Sequence, residues 1–183
     1  MIICLISFMR EIINKNKYHI LPIFLILVLS FSRIIPHPWN FTPILAAGIF
    51  SGFYFKNFFF SLFLVILAMF LGDLYLGFHD TMFFTYIPLA AATGAGIFIK
   101  KFKNFEIFVG GVVSSVCFFI ITNFGAWITL DIYEKNFSGL INSYAMAVPF
   151  FHNTLASTLI YLFVIKVLFF NIFSIKKTNQ KLV

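Results

Sequence analysis

Charge is what this chain has least of: only 10% of its 183 residues are Asp, Glu, Lys or Arg, against roughly a quarter in soluble proteins. That scarcity excludes a soluble domain with a solvated face, and the 61% hydrophobic content marks an integral membrane protein. Cysteine is equally scarce. Cys4 lies in the amino-terminal tail and Cys117 within an apolar segment, so no disulfide is expected between them. Neither has a second Cys or a nearby His at ligand spacing, which leaves no thiolate metal site. There is no Gly-rich phosphate loop, no pair of intramembrane aspartates and no nucleophile with its base and orienting group. Neither enzyme chemistry nor a cofactor is therefore expected. A net charge of +7 would suit nucleic acid, but the basic residues fall in short turns and tails, where membrane topology accounts for them.

What is present is a series of apolar segments at 18–35, 43–55, 58–76, 83–99, 107–130 and 145–170. They predict an all-α membrane bundle of six transmembrane helices forming one domain over residues 1–183. Residues 2–16 are read as an amphipathic helix on the inner surface, with no cleaved signal peptide. The second segment is short for a span, reaching only ~20 Å of a ~30 Å hydrocarbon core, and charge decides its role. With six spans and an inside amino terminus, eleven of the thirteen Lys and Arg residues lie inside, leaving Arg33 and Lys135 outside. If the second segment did not cross, nine would lie outside. The positive-inside rule therefore selects six spans with both termini inside. The outer face then carries Asp73, Asp80, Asp131 and Glu134, a mildly acidic surface that would tolerate a cationic ligand.

Small residues recur at spacing four: Gly48 with Gly52, Ala68 with Gly72, Ala91 with Ala95, Gly110 with Ser114, and Gly111 with Ser115. Such pairs let helix backbones approach closely. The densest run, residues 90–96, is where a partner membrane subunit would be sought first. The 29 phenylalanines are read as lipid-facing or packing residues.

Polar groups inside spanning helices are costly and usually face a bundle interior or wet cavity. Counted at ~1.5 Å per residue from the inner end, Arg33 and Asp73 lie ~22 Å up and Asn123 ~24 Å up. His152 and Asn153 lie ~11 Å below the outer end of the last helix, beneath Tyr144. Between the first two helices runs a segment with Arg33, Pro36, His37, Pro38, Trp39, Asn40, Thr42 and Pro43, which the prolines shape into a break between helices. The candidate ligand-binding set is therefore Arg33, His37, Trp39, Asn40, Thr42, Asp73, Asn123, Trp127, Tyr144, His152 and Asn153. Two arrangements satisfy this outer layer. One is an outward-facing pocket. The other is a closed network in which Arg33 pairs with Asp73 and Asn123 with Asn153. His37, His79, His152 and Asp73 also share the outer face, but none is at local metal-ligand spacing. A channel would need polar residues through the whole thickness, and the inner halves lack them.

The Arg33–Pro43 stretch, Gly72 with Asp73, the 122–127 segment and the 149–154 segment together resemble a bacterial family of small membrane proteins. That family is in turn similar to the substrate-binding S components of energy-coupling factor (ECF) transporters. The resemblance implies a bacterial cytoplasmic-membrane protein with six helices and inside termini, which captures a vitamin-like molecule or ion from outside. It also implies docking to a coupling subunit with paired ABC ATPases. S components present an Ala-x-x-x-Ala motif on their first helix for that docking, whereas residues 18–35 here contain no alanine. Either another face such as Ala91 with Ala95 substitutes, or the protein works alone. The competing reading is a structural or assembly subunit of another membrane complex, without a ligand.

Overall fold

The computed structural model describes Ile20 and residues 22–179, with side chains described through Phe169. The expected surface helix over residues 2–16 lies outside the described residues. Among the described residues the chain is all-helical. Helix α1 is Pro22–Ile34, tightening into a 3-10 turn over Ser32–Ile34. It is followed by α2 (Ile44–Phe55), α3 (Phe58–Leu76), α4 (Met82–Phe98), α5 (Asn104–Thr129) and α6 (Phe137–Asn179). The sixth helix starts eight residues before the expected 145, because Asn136 caps it: its Oδ1 accepts from Gly139 N at 2.9 Å, the N-cap bond that starts a helix.

Three helices are long and apolar enough to cross a membrane: Phe58–Leu76, Asn104–Thr129 and Phe137–Phe169. The other three are shorter apolar helices. The outward surface of long and short helices alike is hydrocarbon: Phe59 on α3 is 82% exposed, Phe98 on α4 84% and Phe105 on α5 76%. The buried positions, by contrast, include Ser51, Ser61, Thr93, Ser115, Ser157 and Thr158. They sit among buried hydrocarbon such as Ile49, Phe50 and Leu89, and small or hydroxylated side chains of this kind let apolar helices pack closely.

Helix α2 is the centre of the bundle. Its first nine residues, 44–52, are all buried, and it packs against α3, α4, α5 and α6. At 12 residues it is about 18 Å long. Its closest neighbour is α4. A Cβ on Gly52 would sit 2.0 Å from Thr93 O, and one on Gly96 2.0 Å from Ile49 O. Only glycine permits that backbone approach. The small face of α4 that packs inward is thus Ala92 with Gly96, while Ala91 is exposed. Ser51 and Ser61 donate reciprocally to each other's backbone carbonyls, at 3.2 and 3.0 Å, joining α2 to α3. At the end of the bundle holding the 56–57 and 99–103 turns, Lys56 Nζ donates to Ile97 O and Ile99 O. These are free carbonyls at the end of α4 that a helix C-terminus needs satisfied.

Candidate functional site

At the opposite end α1 runs out into the 33–43 loop, and the helices part around a cavity of about 720 Å³. This lies within the ~300–1,000 Å³ range of small-molecule sites. Ile44 and Leu45 at the start of α2 contribute to its lining. The loop supplies Arg33, His37, Trp39, Asn40 and Thr42; the α3–α4 connection supplies His79 and Thr81; α5 supplies Thr122 and Asn123.

The loop holds its shape for local reasons. Phe41 N donates to Pro38 O at 2.9 Å, closing a turn. Asn40, at its third position, has φ 61°, a left-handed conformation that asparagine tolerates better than most residues. His37 Nδ1–H donates to Pro38 O at 2.8 Å. A carbonyl only accepts, so this bond puts the proton on Nδ1. Two contacts fasten the loop to α6: Asn153 Nδ2 donates to Trp39 O at 2.9 Å, and the Phe41 and Tyr161 rings lie 6.1 Å apart.

Arg33 is fixed from behind. Its Nη1 donates to Asp73 Oδ1 at 3.1 Å and lies against the Met69 sulfur, and Tyr86 OH donates to Asp73 Oδ2 at 2.7 Å. Asp73 is 1% exposed and the Arg33 side chain 13%. The pair ties α1 to α3 and α4 in a setting where removing one partner leaves a buried charge. Gly72 makes room for it, since a Cβ there would lie 3.3 Å from Arg33 Nη1.

The eleven expected site residues therefore divide. Arg33, His37, Trp39, Asn40, Thr42 and Asn123 line the cavity. Asp73 stands behind its wall as the partner of Arg33. Asn153 holds the loop, and the expected Asn123–Asn153 bond is replaced by two others, Asn123 Nδ2 donating to Phe119 O at 2.7 Å and Asn153 to the loop. Trp127 and Tyr144 act as fasteners elsewhere: Trp127 Nε1 donates to Glu134 O and Tyr144 OH to Ile120 O, each at 2.9 Å. His152 is exposed and does not line the cavity. Sequence reasoning missed His79, Thr81, Thr85 and Thr154 as lining residues. For Thr154 alone a signal was available, the stripe it forms with Ser157 and Thr158, because spacings of three and four mark one helix face. Among the described residues, no group of three or more His, Cys, Asp or Glu is placed to hold a metal ion.

Fold and surface together define, over the described residues, an all-helical protein with membrane-type helices and, at one end, a cavity lined by both polar and apolar side chains. The chain belongs to a family of unknown function, DUF6580, whose model matches residues 13–181. Neither the curated proteins nor the solved structures give a match.

Proposed function

We propose that this protein is the substrate-capturing component of a small-molecule uptake system in a bacterial cytoplasmic membrane. In this reading it has six crossings and inside termini, and takes its ligand from the outer side. The observation that carries the reading is the cavity at the loop end, whose wall is assembled from the 33–43 loop, the α3–α4 connection and residues of α2, α3, α4, α5 and α6 rather than from one continuous segment. The charge bias of the turns favours that end as the outer one. The closely packed opposite half, with its glycine contacts between α2 and α4, suits one-sided capture better than a pore. The sequence resemblance to ECF S components, carried by the 33–43, 72–73, 122–127 and 149–154 segments, is in keeping with this reading, although helix α1 lacks the alanine docking motif. Ala95 borders a shallow apolar groove of about 400 Å³ between α4 and α5, and that face is the substitute surface for a coupling subunit.

Native mass spectrometry of the full chain, released from detergent after incubation with a small-molecule cell extract, tests the capture step. A saturable adduct is expected, and Thr122→Trp, which fills the cavity, should abolish it. An equal adduct in both proteins would move the site elsewhere, and none in the wild type would favour a structural subunit.

A further inference from the structure

The wall of the cavity has a sign. Arg33 is the charged side chain on it, and the other ionisable groups there are the imidazoles of His37 and His79, which bring no negative charge. Among the described residues no carboxylate lines it. Asp73 is buried and spent on Arg33 and Tyr86, while Asp80, Asp131 and Glu134 lie in sequence near the same end but not on the wall. The outer surface, mildly acidic in sequence, thus differs in sign from the cavity wall.

Both bonds that hold Arg33 use Nη1, so Nη2 and Nε are not consumed by them. A guanidinium held on one side and open on the other suits a carboxylate or a similar oxyanion. The first turn of α2 adds the same polarity: Ile44 and Leu45 line the cavity and no side chain caps that helix, so its positive end is directed there. The remaining lining includes Ile34, Leu45 and Phe118, hydrocarbon that a simple inorganic anion would not use. On the α4 and α5 side, Thr85 and Thr122 donate their hydroxyl protons to Thr81 O and Phe118 O, at 3.1 and 2.7 Å. They therefore offer the cavity acceptors.

From this arrangement we infer that the cavity takes a small organic acid, with its oxyanion on Arg33, its apolar body against Ile34, Leu45 and Phe118, and any N–H or O–H donor toward Thr85 and Thr122. This inference rests on the capture reading above.

The test sorts the small-molecule extract by ion exchange into acidic, neutral and basic pools and offers each to the full chain for native mass spectrometry. A saturable adduct is expected from the acidic pool alone. It should fall about tenfold or more in Arg33→Gln/Asp73→Asn, which removes both members of the ion pair together. Asn123→Asp, which sets a carboxylate on the wall and leaves the pair intact, should weaken the same adduct. An adduct from the neutral or basic pool, or an acidic adduct undiminished in both variants, overturns the assignment while leaving capture standing. No adduct from any pool overturns capture as well.

Discussion

The two ends of the bundle solve opposite problems with the same helices. At the end with the 56–57 and 99–103 turns, α2 and α4 meet backbone to backbone through Gly52 and Gly96. At the end with the 33–43 loop, Ile44 and Leu45 occupy α2 and the helices stand apart around the cavity. Buried polarity differs in kind as well. In the packed half, Thr93 returns its hydroxyl to its own helix at Leu89 O, and Ser51 and Ser61 satisfy each other. In the open half, a charged pair is kept under the wall. Small residues permit contact, whereas prolines and a fixed ion pair hold a space open. Helices of membrane type, which in lipid would have little hydrophobic drive to associate, rely on both devices.

The ion pair should be the most sensitive element of the open end. Arg33→Gln leaves Asp73 buried with only Tyr86, and Asp73→Asn leaves a buried guanidinium; each should cost about 3–5 kcal/mol. The double variant should cost less than either. Thermal unfolding in detergent, run on all three, checks this. Equal, additive losses would make the pair two independent surface charges and dissolve the contrast between the ends.

The packed end should break almost as easily, and for a steric reason. Gly52→Ala puts a methyl against Thr93 O, a backbone atom that cannot swing aside, so a loss of about 3 kcal/mol is expected. Gly94→Ala is the control, since its nearest contact would be Phe58 Cε2 at 3.9 Å. Matching melting temperatures for the two variants would show that α2 and α4 do not approach as described. Added bulk in the cavity should behave differently. Thr122→Trp has space to enter and is expected to shift stability by less than about 1 kcal/mol, while removing ligand retention.

The ordering of the helices was legible because lipid demands long apolar runs, and α3 matches its expected bounds, 58–76. Depth was legible too, since rise per residue is constant. That is why Arg33 and Asp73 could be paired from sequence. Azimuth was not. In a soluble helix the apolar stripe marks the inner face, but here both faces are apolar, and only the small and hydroxylated residues distinguish them. On α4, for example, spacing alone does not separate Ala91 with Ala95 from Ala92 with Gly96, the pair that makes the packed contact. Long-range fastening was also hidden: nothing local in the sequence announces that Trp127 would reach Glu134 O, or Asn153 Trp39 O.

His152 gives the smallest expected effect and the sharpest test of that distinction between depth and direction. Its height places it with the polar layer, beside Asn153 and Thr154. Successive residues turn by about 100° around a helix, so His152 lies about 200° from Thr154, which lines the cavity. The buried stripe of α6 runs through Ser143, Ala147, Thr154, Thr158, Leu162 and Ile165, and His152 falls off it. His152→Ala should therefore leave melting within about 0.5 kcal/mol of the parent and leave ligand adducts unchanged. Asn153→Ala, one residue on, frees the loop from α6 and should weaken those adducts. If the histidine variant lost its adduct and the asparagine variant kept it, α6 would be rotated from the orientation described, and the cavity wall would have to be redrawn.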